Sequence, residues 1–166
     1  MQLRPLLSVL GSSVRHRPGR IGALTLLPCA PLVLGAVPLS GPVQSDVYAS
    51  VTGLRSQKGQ VLACLTTSPQ AFPNCEKDPR ARKLTVTAKG DVHLDFGAVP
   101  EGRYAISLIH DENGNGKLDT ALMIPREGFG FSRDAPVRMG PPRFDKAAFD
   151  VGAENTRMAI RMRYLL

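Results

Sequence analysis

From Leu84 onward apolar residues recur at every second position, and that period most constrains what this chain can fold into. Leu84, Val86 and Ala88 alternate with Thr85 and Thr87, and Val92, Leu94 and Phe96 alternate with His93 and Asp95. Tyr104, Ile106 and Leu108 share one side of a third segment. In a fourth, Met158, Ile160, Met162 and Tyr164 oppose Arg157, Arg161 and Arg163. A period of two sets one strand face in a core and the other in water, and no stretch shows the 3.6-residue period of an amphipathic helix. Val47 to Gly53 and Gln60 to Leu65 add two segments rich in β-branched and apolar residues. Lys89-Gly90-Asp91 predicts a hairpin between the segments it joins. About seven short strands with Gly- and Pro-rich turns predict an all-β fold. The expected architecture is a single antiparallel β-sandwich, immunoglobulin-like or transthyretin-like, over residues 46–166. Ser132 to Lys146, with Pro136, Pro141 and Pro142, reads as a long connection.

Residues 1–45 do not share this pattern. Arg4, Arg15, His16, Arg17 and Arg20 precede an almost wholly apolar run from Ile21 to Leu39, and no acidic residue occurs before Asp46. A basic start, an apolar run and then small residues is the order of a secretory signal peptide. Residues 1–45 are therefore expected to be a signal peptide and short linker, cleaved after Ala36, Ser40 or Ser45. That order implies a periplasmic or secreted protein. The alternative is an uncleaved N-terminal anchor facing the periplasm. Pro28, Pro31 and Pro38 interrupt the run, which is near the minimum of roughly 17–20 residues needed to span a bilayer.

Removing that segment changes the charge argument. The chain carries +7, but four of its 21 basic residues lie before Asp46 and all 14 acidic ones lie after it, leaving 17 − 14 = +3. So mild a charge gives no reason to expect nucleic acid as a partner. Envelope components or another protein are the expected partners, with membrane contact only through an uncleaved N-terminus. Cys64 and Cys75 form an even pair beyond the leader, and an oxidising compartment invites a disulfide between them. Closing so short a loop stabilises the fold by roughly 3 kcal/mol.

The candidate for chemistry is Asp111-Glu-Asn-Gly-Asn-Gly-Lys-Leu-Asp119. Asp111, Asn113, Asn115 and Asp119 stand at positions one, three, five and nine of an EF-hand-type loop. Gly116 falls at six, and Lys117 at seven offers its backbone carbonyl. This spacing turns several hard oxygens toward one cation, so Ca²⁺ is the expected cofactor, bound weakly at about 10⁻⁴–10⁻³ M. Position twelve is Leu122 rather than a bidentate glutamate, and Glu127 is the nearest outside carboxylate to complete the shell. An ion-free polar turn is the competing reading, because Asn113-Gly114 and Asn115-Gly116 both favour turns.

Two further readings are open. An envelope hydrolase would use His110 with Asp111 or Glu127, and needs them to converge in one concave pocket. A small-ligand carrier needs an open cavity between the sheets. The favoured reading, a non-catalytic binding or structural module, predicts a loop projecting from one end of the sandwich with no cleft beside it. Glu127-Gly-Phe-Gly-Phe-Ser132 lacks the ending of a phosphate-cradling loop, so Phe129 and Phe131 are expected to pack against the sandwich.

Three motifs occur in order: Gly102-x-Tyr104-Ala105, then His110 through Asp119, then Pro125-x-Glu127-Gly-x-Gly-Phe-Ser132. Together they resemble the bacterial domain of unknown function 2141 family across residues 46–166. The resemblance implies an exported β-sandwich protein and supplies no substrate or catalytic residue. The family pattern often has Asn and Gly where this chain carries Ala121 and Met123, a departure that bears on how the chain leaves the acidic loop.

Overall fold

The structure is a computed structural model, and it describes residues 41–166. The expected signal peptide and the cleavage positions at Ala36 and Ser40 lie outside the described residues. Ten strands follow in chain order: β1 (Gln44–Thr52), β2 (Gln60–Thr66), β3 (Arg82–Thr87), β4 (Val92–Pro100), β5 (Gly102–Asp111), β6 (Thr120–Ala121), β7 (Ile124–Pro125), β8 (Gly128–Phe131), β9 (Phe149–Val151) and β10 (Thr156–Arg161). A 3-10 turn at Ser132–Asp134 and a single helical turn, α1 (Phe144–Ala147), break up the long connection after β8.

The strands form an antiparallel β-sandwich. One sheet has three strands in the order β10-β1-β4, and the other has five, in the order β3-β2-β5-β8 with β9 also paired to β5. The pair β1–β10 is the parallel exception, in register from Val47↔Thr156 to Thr52↔Arg161. Strand β5 is long enough to pair with β2 over residues 105–111, with β9 over 102–104 and with β8 over 107–110.

Period-two alternation does place the core. Val47, Ala49, Val51, Leu94, Phe96 and Ile160 from one sheet meet Val61, Ala63, Leu65, Ile106 and Leu108 from the other, all buried. The space between the sheets is thus filled by side chains, each large aliphatic one stabilising the fold by about 1.5–3 kcal/mol. A second cluster, Phe72, Phe129, Phe131 and Phe144 with Ala135 and Ala147, covers part of the outer face of the five-stranded sheet. Its rings meet at centroid distances of 5.8 Å (Phe72–Phe131) and 6.0 Å (Phe72–Phe144). Phe129 and Phe131 pack as the sequence suggested, but on the outside of a sheet.

The expected hairpin at Lys89-Gly90-Asp91 does not form. Strand β3 pairs with β2, and β4 pairs with β1, so this turn carries the chain from one sheet to the other. Alternation assigns faces without choosing partners. Leu84 and Val86 pack on the same core as Val92, Leu94 and Phe96, and an arch satisfies that pattern as well as a hairpin does.

Cys64 and Cys75 are joined by a disulfide with a Cα–Cα distance of 6.4 Å. The loop they close is also tied inside: Thr66 Oγ1 donates to Asp78 at 2.6 Å, and Arg80 N donates to the same carboxylate at 2.9 Å. The Thr66 hydrogen bond, seconded by that N–H, holds the Asp78 carboxyl below its ordinary pKa. Tyr104 donates to the Pro100 carbonyl at 2.9 Å, the corner device by which β-sandwiches pin a strand entering a sheet.

Candidate functional site

The acidic loop leaves the end of β5, and Asp111 is its root. Side chains alternate along β5, so His110 turns inward and Asp111 outward. Asp111 is nevertheless fully buried, because the loop folds back over it. Its Oδ1 accepts from Gly114 N at 2.8 Å and Asn115 N at 3.1 Å. Its Oδ2 accepts from Gly116 N at 2.8 Å and from the Gln60 amide at 2.9 Å. These four donors use the whole acceptor capacity of the carboxylate. Burial by itself would raise the carboxyl pKa, but the Gln60 amide and the three backbone N–H groups outweigh it and hold the pKa below the ordinary value.

The root also needs Gly59. Its φ of +67° is in the left-handed region, and a Cβ there would lie 2.0 Å from the Asp111 carbonyl oxygen. Only glycine lets the turn before β2 lie this close to the loop. Glu127, 5% exposed, braces the other side: Oε1 accepts from Glu112 N and Oε2 from Asp119 N, each at 3.0 Å. The carboxylate proposed as an outside ligand therefore ties together the two ends of the loop.

The rim is built differently. Asn113 and Asn115 are exposed and Asp119 is half-buried. Asn115 Nδ2 donates to both Asp119 oxygens at 3.0 Å, and Asn113 Nδ2 donates to Asp119 Oδ2 at 2.7 Å. The Asn115 amide, then that of Asn113, lowers the Asp119 carboxyl pKa. Each asparagine also accepts from the backbone two residues on, Asn113 from Asn115 N and Asn115 from Lys117 N, both at 3.0 Å. Asp119, Asn113 and Asn115 are thus gathered at one place, while Asp111 stands behind them. Leu122, at position twelve, is 95% exposed.

Beside the root, Glu112 is held by Arg55 and by Ser56 Oγ at 2.6 Å. The Arg55 hydrogen bond is the main cause of the lowered Glu112 pKa. Arg55 also lies 4.5 Å over the Tyr164 ring and donates to the Arg126 carbonyl at 2.8 Å. Sequence reasoning missed Arg55, Gln60 and Tyr164, all distant from the loop in the chain. Only the Lys58-Gly59-Gln60 turn carried a local signal.

His110 is fully buried. Its Nε2 lies 2.9 Å from the Lys58 carbonyl and its Nδ1 2.7 Å from the Tyr164 hydroxyl, which in turn accepts from Arg55 N at 3.1 Å. A carbonyl can only accept, so Nε2 carries the proton and Nδ1 accepts from tyrosine. Both ring nitrogens are committed to the fold. His110, Asp111 and Glu127 do not line the cavity beside the loop, so that cavity is not the convergent pocket the hydrolase reading needs.

A cavity of about 880 Å³ does lie on the outer face of the five-stranded sheet, against Gly116, Lys117 and Leu118. It is neither the between-sheet opening of a carrier nor the cleft-free surface expected beside the loop. Its far lip is the two-residue hairpin of β6 and β7, whose tip residues Leu122 (φ 49°) and Met123 (φ 66°) are both left-handed and almost fully exposed.

A family model described as an uncharacterized protein conserved in bacteria, DUF2141, matches residues 49–159, and the chain belongs to that family. The match runs from within β1 to within β10, so it takes in both sheets and the acidic loop. No curated protein and no solved structure matches the chain.

Proposed function

We propose that this member of the bacterial DUF2141 family is an exported, non-catalytic module of the cell envelope whose loop at 111–119 is organised by Ca²⁺. One observation carries the calcium reading: Asp119 and the Asn113 and Asn115 amides converge on a single exposed point while the buried Asp111 fixes the backbone beneath them. Each asparagine oxygen accepts one backbone N–H and keeps a second lone pair. A cation seated there replaces the two amide contacts to Asp119 and takes the Lys117 carbonyl as a further oxygen. With one carboxylate at the rim the affinity is modest, about 10⁻⁴–10⁻³ M.

Export is supported by the order of basic, apolar and small residues before Asp46. Strand β1 begins at Gln44, and buried Ser45 donates to the Gly152 carbonyl at 2.6 Å. Cleavage after Ala36 or Ser40 keeps β1 whole, whereas cleavage after Ser45 cuts it.

Thermal unfolding with calcium and with chelator tests the loop reading. Calcium at ten times the dissociation constant should stabilise the native state by about 1.4 kcal/mol. The shift should vanish in Asp119→Ala, a rim change that leaves the Asp111 anchor in place. Identical melting of the unsubstituted protein at 10 mM calcium and in chelator would refute the calcium reading.

A further inference from the structure

We propose that the outer face of the five-stranded sheet carries a binding groove for a fatty-acid anion, with the acyl chain along the sheet and the carboxylate held by its basic lining residues. The proposal does not rest on the calcium reading: of the residues that carry it only Lys117 belongs to the acidic loop, and the calcium reading uses its backbone carbonyl, not its ammonium group.

The floor follows from register. Leu62 pairs with Ile109 and Ile109 with Phe129, so three apolar side chains form a row across β2, β5 and β8 on the outward face. An outward face normally alternates to polar residues, yet Leu62 and Ile109 are apolar and only half-buried. The phenylalanine cluster covers the Phe131 and Ala105 end of this face. A cavity of about 880 Å³ lies over Leu62 and Ile109 and reaches Phe129 and Phe131 of that cluster, within the roughly 300–1,000 Å³ of small-molecule sites.

The lips point to an amphiphile. Met123 and Met139 line the cavity and are 93% and 104% exposed. Flexible thioether side chains adapt to a chain of variable shape. Met123 reaches its place through a left-handed backbone at φ 66°, a conformation unfavourable for a residue other than glycine. Charge selects the head group: Lys83, Lys117 and Arg138 line the groove against the single carboxylate of Glu76. Three cations against one anion among the residues that line an apolar floor suit a carboxylate-headed chain.

The test uses the full-length chain, so that residues 1–42 are common to every arm. Binding of cis-parinaric acid, a fluorescent 18-carbon fatty acid, is titrated, then competed with palmitate and with the uncharged hexadecanol. The expected result is saturable binding at one site that palmitate displaces. The double variant K83E/R138E, altered only at exposed positions, should weaken palmitate by roughly tenfold and leave hexadecanol within about twofold. The variant M123S/M139S should weaken both competitors. Unchanged melting certifies that the variants fold. Non-saturable uptake, equal loss of palmitate and hexadecanol in K83E/R138E, or binding indifferent to both variants would overturn the proposal. Sedimentation with phosphatidylglycerol vesicles that palmitate does not compete would overturn it too, since a membrane surface would then be the occupant.

Discussion

The acidic loop and the hairpin tip that follows it both place residues in the left-handed region, and they do so with opposite chemistry. In the loop, Gly114 (φ 75°) and Gly116 (φ 80°) take those positions freely, and the buried Asp111 carboxylate collects the N–H groups that result. At the tip, Leu122 (φ 49°) and Met123 (φ 66°) are held there with side chains exposed to solvent. Two-residue hairpins favour turns with both central residues at positive φ, usually filled by Asn-Gly. The loop's shape is thus dictated by its own residues, whereas the tip's is imposed by closure of β6 on β7. One region is locally consistent and the other stores strain. Strain kept in an exposed apolar pair beside a groove is where function is worth seeking.

Substitutions can break this contrast, and the largest effect should come from the loop's root. Asp111→Ala leaves the Gly114 and Gly116 N–H groups and the Gln60 amide without their acceptor, while Asn115 N keeps only Asn113 Oδ1. At about 1–3 kcal/mol for each donor left unsatisfied, reduced by water entry, urea unfolding should register a loss of about 3–5 kcal/mol. Removing the Cys64–Cys75 cross-link by paired Ser substitution should cost roughly 3 kcal/mol in the same measurement. The tip should respond in the opposite direction. Leu122→Asn with Met123→Gly restores the residues its turn prefers and should raise stability by about 1–2 kcal/mol. Destabilisation would show that the tip is not strained. At the rim, Asn113→Ala with Asn115→Ala in chelator should change stability by no more than about 0.5 kcal/mol per site, because these side chains are exposed.

Acid should sharpen the same contrast. The Asp111, Glu112 and Asp119 carboxyls all have lowered pKa values in the folded chain. A carboxyl depressed on folding contributes stability that is complete above its unfolded value and is lost as pH falls through its folded value. Stability should therefore be level above about pH 5 and decline from about pH 4 downward. The decline should be smaller in Asp111→Asn than in the unsubstituted chain.

How much was legible in the sequence follows from the range of each interaction. Where residues alternate, the pattern fixed which of them face the core, and the buried Val92, Leu94, Phe96, Ile106 and Leu108 match it. It did not fix which strands pair, so the Gly90 turn was expected as a hairpin and is an arch between sheets. The loop's turns were legible because Asn-Gly and Asp specify them within a few residues. Its anchoring was not, since Gln60, Arg55 and Tyr164 reach it only through the fold. The outward apolar row at Leu62 and Ile109 was hidden for a related reason. Gln60 to Leu65 is almost continuously apolar, and such a run does not tell which face a cluster covers and which a groove leaves open.

The central claim is that a buried Asp111 carboxylate builds the loop by accepting backbone N–H groups. Amide NMR of Gly114, Asn115 and Gly116 through an acid titration reads it directly. The account predicts slow hydrogen exchange at these three amides and a shared titration midpoint below the ordinary aspartate value of about 3.9. Exchange at open-loop rates, or a midpoint at or above that value, would contradict it.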